Sequence, residues 1–144
     1  MANIGKFLSA IGKYKKVDVQ SAVLGASPHR LVELLFDGAI SRVVEAKAHM
    51  ERKDLAKKAV SITSCLDIVN GLRGSLNMEQ GGEIAVNLDL LYDYIARRLI
   101  SANCNNDVEI LKEVHGLLSE LRASWSSITP VEDATSSVRA ATTA

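Results

Sequence analysis

The pattern of hydrophobic and polar positions predicts a single helix with two apolar stripes between Gly81 and Asn103. At about 100° per residue, one set of apolar side chains shares a face suited to a protein core: Ile84, Leu88, Leu91, Tyr92, Ile95, Leu99 and Ala102. A second line lies on the opposite side at a spacing of four residues, and we name it the outer strip: Val86, Leu90 and Tyr94. A helix packed on one side needs only one apolar face. The outer strip therefore predicts a surface that another segment or another protein covers.

The same periodicity predicts two helices before this one. Ser27 suits an N-cap and Pro28 the first position of a helix that ends near Arg52, and Asp54 suits the N-cap of the next helix. The predicted buried face of the first helix is Leu31, Leu35, Ala39, Val43, Ala46 and Met50. That of the second is Leu55, Ala59, Ile62, Leu66, Val69 and Leu76.

Two local sequence patterns predict where the remaining two helices begin. Gly81 and Gly82 mark the connection into the helix with two stripes, and Asn106 with Glu109 forms an N-x-x-E capping pattern for a fourth helix. Pro130 ends that fourth helix. Its apolar seam alternates spacings of three and four residues: Leu111, Val114, Leu118, Leu121, Trp125 and Ile128.

Four helices of similar length with short connections predict an all-α fold, an antiparallel up-down-up-down four-helix bundle, over residues 27–129. Residues 1–26 form an amphipathic N-terminal segment, in which Ile4, Phe7, Leu8 and Ile11 recur at helical spacing beside several lysines. Three alternatives are open for this segment: it docks on the bundle, it contacts a partner or a membrane surface, or it is disordered. Residues 130–144 are small and polar, which predicts a disordered tail.

Composition narrows the class of protein. The chain has 144 residues, enough for one domain with a sizeable core. Its 17 basic and 17 acidic residues balance, which argues against nucleic acid as a partner. No apolar run is long enough for stable membrane insertion and the N-terminus lacks a secretory core, so we expect a cytoplasmic protein. Cys65 and Cys104 are expected to be small buried or half-buried thiols rather than a disulfide.

The sequence predicts no catalytic residues, no metal site and no cofactor. A di-iron bundle needs Glu-x-x-His pairs, and the nearest candidates, Glu45 with His49 and Glu113 with His115, lack that spacing. No side chain is placed to orient a base toward a nucleophile. A glycine pair before Glu83 is more typical of a turn between helices than of an anion site. An enzyme is therefore the least favoured class.

Surplus apolar surface is what this sequence offers instead. Beyond their core faces, the first helix continues with Val32, Phe36, Ile40 and Val44, and the second adds Ile68 and Leu72 at its margin. Exposed apolar patches often mark interaction sites, and an amphipathic helix lying in a groove is a common mode of recognition. The candidate partner-binding residues are Phe36, Ile40, Ile68, Leu72, Val86, Leu90 and Tyr94. Self-association through the same strip, giving a homodimer in a structural or regulatory bundle, is the alternative.

Short motifs in family order cover the chain from about residue 14 to 128. They are Tyr14, Ala26-Ser27-Pro28 with Leu31, Leu35-Phe36-Asp37-Gly38-Ala39, Gly81-Gly82-Glu83-Ile84-Ala85, Asn87-Leu88, Leu91-Tyr92-Asp93-Tyr94, Arg98-Leu99, Ala102-Asn103, and Leu118, Leu121 and Trp125. In these motifs the chain resembles the flagellar secretion chaperones of the FliS family. Phe36 departs mildly from the pattern, which has tyrosine there.

The resemblance implies an antiparallel helical bundle without catalytic activity in the bacterial cytoplasm. It implies that the C-terminal region of flagellin, disordered when free, wraps around the chaperone as helical pieces, which prevents premature polymerisation. It also implies delivery of the subunit to components of the flagellar export apparatus. The N-terminal segment would lie near the cargo site and be displaced, with Ile11 and Tyr14 as a gate.

Overall fold

The computed structural model describes residues 27–128, which form four helices and no strand. We number the helices α1 (Pro28–Glu51), α2 (Leu55–Gly74), α3 (Met78–Asn105) and α4 (Val108–Ser127). The all-α prediction is confirmed for this part of the chain. The N-terminal segment with Ile11 and Tyr14, and the tail predicted at 130–144, lie outside the described residues.

Side-chain caps start the first two helices as predicted. The Ser27 hydroxyl accepts a hydrogen bond from the Arg30 backbone N–H at 3.2 Å, and the Asp54 carboxylate accepts one from Lys57 at 3.2 Å. Each cap satisfies one of the backbone donors that a helix N-terminus leaves unpaired. These caps fix where α1 and α2 begin.

The third helix starts earlier than predicted and contains a break. Asn77 caps it by accepting from the Gln80 backbone N–H at 3.0 Å, and Gly82 then interrupts it with φ 52° and ψ −130°. Glycine adopts this conformation without the steric cost of a Cβ. The regular part of α3, which carries the outer strip, therefore begins at Glu83.

The predicted cap of α4 is wrong by one residue. Asn106 has φ 50° and ψ 47° and ends α3, with its N–H bonded to the carbonyl of Ala102. Asp107 caps α4 instead, and its carboxylate accepts from the N–H groups of Glu109 and Ile110. A two-residue connection must first end one helix, and asparagine tolerates the left-handed conformation that does so.

The four helices pack around one core in which α1 contacts α2 and α4, and α3 contacts the same two helices. The largest fully buried side chains are Ile62, Leu72, Ile95, Leu99, Leu111, Leu118, Val43, Val69, Val114 and Cys65. Most of the predicted core faces are thus confirmed. Cys65 is buried as expected, whereas Cys104 is exposed, and both are free thiols.

Three residues predicted to be buried are exposed, and each lies at a helix end. Leu55, the first residue of α2, is 50% exposed, Ile84 beside the Gly82 break is 72% exposed, and Ile128 after α4 is 53% exposed. Periodicity assigns a face to a residue but does not show how far the neighbouring helices extend. These positions lie beyond the cover that their neighbours provide.

Polar contacts between helices join residues near the start of one helix to residues near the end of another. Lys58 near the start of α2 donates from Nζ to the carbonyl of Asn103 at 2.9 Å, near the end of α3. Arg122 of α4 donates to Asp37 of α1 at 3.0 Å, and one turn further along α4 Ser126 donates to Glu33, one turn back along α1. None of the helices described between residues 27 and 128 is both long and apolar enough to cross a membrane.

Candidate partner-binding surface

The outer strip lies on the face of α3 that turns away from the core. Leu90 is 61% exposed and Val86 is 44% exposed, whereas Tyr94 is half-buried. On the other side of the same helix, Ile95 and Leu99 are completely buried. The prediction that α3 carries apolar side chains both toward and away from the core is confirmed for these positions.

A network of charged side chains borders the strip on the side of α2. Arg73 of α2 donates from Nε and Nη2 to Asp89 at 2.7 and 3.3 Å, and from Nη1 to Asp93 at 3.1 Å. Arg97 donates to the second oxygen of Asp93 at 2.9 Å. The hydrogen bond from Arg73 lowers the pKa of Asp89 below its ordinary value. We name this border the Arg73 network.

A second polar cluster borders the strip on the side of α4. The hydroxyl of Tyr94 donates to one carboxylate oxygen of Glu113 at 2.7 Å, and Arg98 donates to the other at 2.8 Å. These two hydrogen bonds, Tyr94's first, lower the pKa of Glu113, while the carboxylate raises the pKa of Tyr94. The Arg98 guanidinium also lies 6.0 Å from the centre of the Tyr94 ring. The ring is thereby held against α4, at the edge of the strip.

The structure buries three of the predicted partner-binding residues. Phe36, Ile68 and Leu72 are only 2%, 4% and 2% exposed and belong to the core cluster, so their predicted position at the surface is wrong. Gly38 of α1 lies near Ile68, since a Cβ there would be 3.4 Å from Cδ1 of Ile68, an ordinary van der Waals distance. Packing between helices therefore extends to the margins of α1 and α2, and these margins become core. Ile40 is half-buried and packs against the same cluster.

The charged borders were missed in the sequence, although part of their signal is visible there. Asp89, Asp93 and Arg97 follow one another at spacings of four, which indicates a solvated line along α3. Nothing in a single sequence shows that Arg73 and Glu113, on other helices, complete the two clusters. Adjacent Arg97 and Arg98 do point to different sides of the helix, as predicted.

The described residues contain no group of three or more His, Cys, Asp or Glu side chains that could hold a metal ion. What they present is a helical bundle with an exposed apolar strip between two polar borders. A helix face of this kind suits the binding of another polypeptide.

Comparison with known proteins identifies the family. The family described as "Flagellar protein FliS" matches residues 10–132, which is most of the chain. The chain therefore belongs to the FliS family, as the resemblance implied. This is a family of chaperones, and the chain is not an enzyme.

Curated relatives agree with this assignment. A flagellar secretion chaperone FliS of Salmonella typhimurium is 47% identical over 123 residues, covering 85% of this chain and 91% of the relative. A flagellar secretion chaperone FliSB of Pseudomonas aeruginosa is 40% identical over 121 residues, covering 84% of this chain and 96% of the relative. A FliS of Vibrio cholerae is 41% identical over 117 residues, covering 81% and 86%. The similarity thus extends through all four helices.

Proposed function

We propose that this chain is a cytoplasmic flagellar export chaperone that binds the C-terminal region of flagellin. In this role it prevents premature polymerisation of flagellin and supports its delivery to the export apparatus. Family membership supports the export role, since the relatives are flagellar secretion chaperones. The observation that carries the cargo site is Leu90, which is 61% exposed in the middle of a long helix. A large apolar side chain at such a position favours a partner that covers it.

The binding mode that we propose places an amphipathic helical piece of flagellin along the outer strip. Burial of apolar area stabilises the complex by roughly 25 cal/mol per Å², less the cost of ordering a disordered peptide. The Arg73 network and the Tyr94–Glu113–Arg98 cluster hold the two edges of the strip in place before cargo arrives. A surface held in advance loses less entropy on binding.

We also infer that the four helices run up-down-up-down. Where α1 contacts α4, and where α2 contacts α3, residues later in one helix meet residues earlier in the other. This order supports an antiparallel arrangement of each pair. Short connections between successive helices favour it as well. An antiparallel bundle leaves α3 with one long outward face, as the proposed cargo site requires.

Isothermal titration calorimetry with purified flagellin tests the proposed function. We expect saturable binding of monomeric flagellin, and none of a flagellin that lacks its C-terminal region. Light scattering should show that the chaperone delays the polymerisation of intact flagellin. Equal binding of the truncated flagellin would reject the C-terminal site, and no binding of either form would reject flagellin as cargo.

The gate formed by Ile11 and Tyr14 stays a proposal, because both lie outside the described residues. We propose that this segment lies near the cargo site and is displaced when cargo binds. Deletion of residues 1–16 is then expected to raise the affinity for flagellin or to lower the solubility of the chain, because an apolar surface loses its cover. Calorimetry and a solubility series check this result. Unchanged affinity and solubility would show that the segment covers nothing.

A further inference from the structure

Gly116 is an exposed glycine in the interior of α4. A Cβ at this position would lie in open space, with no atom of another helix within 4 Å. By contrast, a Cβ at Gly81 would meet Ala85 at 2.6 Å, and Gly82 has a positive φ. A glycine in a helix interior weakens folding about fivefold relative to alanine. The part of the chain that the structure describes gives no steric reason for a glycine at this position.

Gly116 lies on the side of α4 that borders the outer strip. Glu113, three residues earlier, bonds to Tyr94 and Arg98 of α3. At 100° per residue, Gly116 is turned by about 60° from Glu113, toward solvent. A two-residue connection joins α3 to α4, so a step forward along α4 corresponds to a step back along α3. Gly116 therefore lies beside the stretch of α3 that runs from Leu90 to Tyr94.

Apolar side chains form the floor between α3 and α4 beside this glycine. Leu91 of α3 and Leu117 of α4 are half-buried and pack against the core cluster. Leu91 lies two turns before Arg98, whose side chain reaches α4. Leu117 lies one turn after Glu113, whose side chain reaches α3. Each leucine is thus on the side of its helix that borders the other helix. We name this surface the α3–α4 groove, and it consists of Leu90, Leu91, Tyr94, Gly116 and Leu117.

Charged groups occupy the opposite border of the outer strip. Arg73 crosses from α2 to α3 with hydrogen bonds to Asp89 and Asp93. A helix that lay between α2 and α3 would cover these groups, and covering them costs free energy because they lose contact with water. Between Leu90 and Leu117, the α3–α4 groove presents apolar side chains and exposed helix backbone instead. The two sides of the strip therefore differ in how well they suit an apolar partner.

We propose that a helical piece of flagellin lies in the α3–α4 groove and brings its backbone close to α4 at Gly116. Its apolar face covers Leu90, Leu91 and Leu117. The distance between two packed helices depends on the side chains at their contact, so a glycine there permits a close approach. This inference rests on the proposed function and goes further, because it assigns the cargo to one side of the outer strip and names the residue that sets its distance from α4.

Titration calorimetry of monomeric flagellin with full-length Gly116→Ala and Gly116→Leu variants tests the close approach. We expect the dissociation constant to rise about tenfold for alanine and about a hundredfold for leucine, because the added side chain pushes the cargo helix away from α4. Urea denaturation should show that alanine also raises the folding equilibrium constant about fivefold. Higher stability together with weaker binding is a combination that a purely structural glycine would not give.

Asn70→Leu is the matched control for the other side of the strip, because Asn70 is exposed on α2 one turn before Arg73. It adds a leucine beside the Arg73 network, and its affinity for flagellin should stay within about threefold of wild type. Circular dichroism shows that each variant folds. Loss of affinity in Asn70→Leu but not in Gly116→Leu would overturn the proposal and place the cargo beside α2. No gain in stability for Gly116→Ala would also overturn it, because the free fold would then need the glycine.

The wild-type titration separates this inference from the proposed function. No binding of flagellin by the wild type would overturn both. Tight binding by the wild type together with equal affinity in Gly116→Leu would overturn the α3–α4 groove alone, and flagellin would remain the cargo.

Discussion

Replacing Leu90 by aspartate is expected to abolish the binding of flagellin while the helical circular dichroism of the chain persists. Leu90 is 61% exposed in the free protein, so the new carboxylate is solvated and the bundle keeps its core. In the proposed complex the same position is covered by cargo. Loss of a buried leucine costs about 1.5–3 kcal/mol, and an unpaired buried carboxylate costs more. Since each 1.4 kcal/mol is about tenfold in affinity, binding should fall by more than about a hundredfold.

Val60→Asp is the control for this prediction. Val60 is 65% exposed on α2, so the substitution adds the same charge at a similarly exposed apolar position away from the outer strip. Its affinity for flagellin should stay within about threefold of wild type. Calorimetry at matched protein concentrations measures both variants. Wild-type affinity in Leu90→Asp would remove the outer strip from the cargo site, and equal losses in both variants would indicate a general effect of charge.

The sequence predicts those features of the fold that depend on the spacing of apolar residues along each helix. The spacing of apolar residues correctly assigns Val43, Ile62 and Leu118 to the core, because a helix that buries one face must repeat it every turn. Caps at Ser27 and Asp54 are equally local, since each depends on a side chain and a backbone N–H three residues apart. For residues 27–128, the number of helices and their main core faces are therefore accessible from sequence alone.

Contacts between helices limit how much of the candidate site can be predicted from the sequence. Val86 and Leu90 were placed correctly because they lie on the far side of α3 from its own core face. Ile68 and Leu72 lie at the margin of α2, where burial depends on how closely the neighbouring helices approach. That approach is not visible in the sequence of one helix. Marginal positions on a helix therefore need the tertiary structure, whereas opposite faces do not.

Tyr94 shows the same limit within the strip itself. Its spacing from Leu90 correctly predicts a position on the outer side of α3, but its hydroxyl bonds to Glu113 on α4. The residue therefore belongs both to the apolar strip and to a polar border. The hydrogen bond to Glu113 fixes the position of the ring. A sequence pattern of apolar residues does not reveal that bond.

Two leucines on α3 should have different roles, Leu99 in the stability of the fold and Leu90 in cargo binding. The substitution Leu99→Ala tests the role of Leu99. Leu99 is completely buried in the core cluster. Its truncation removes apolar contacts and leaves a cavity between helices, which should lower the free energy of unfolding by about 2–5 kcal/mol. Urea denaturation followed by circular dichroism measures the change. Since Leu99 lies on the face of α3 opposite the outer strip, the folded fraction should still bind flagellin with wild-type affinity.

Leu90→Ala supplies the matched control, with the same residue types on the same helix. At an exposed position this substitution should change the free energy of unfolding by no more than about 0.5 kcal/mol, because little apolar area returns to water. Its affinity for flagellin should nevertheless fall, since the proposed cargo loses its central contact. Equal destabilisation by the two alanine variants would mean that Leu90 is buried in solution by the chain itself. That result would contradict a strip that is open to solvent in the cargo-free chain.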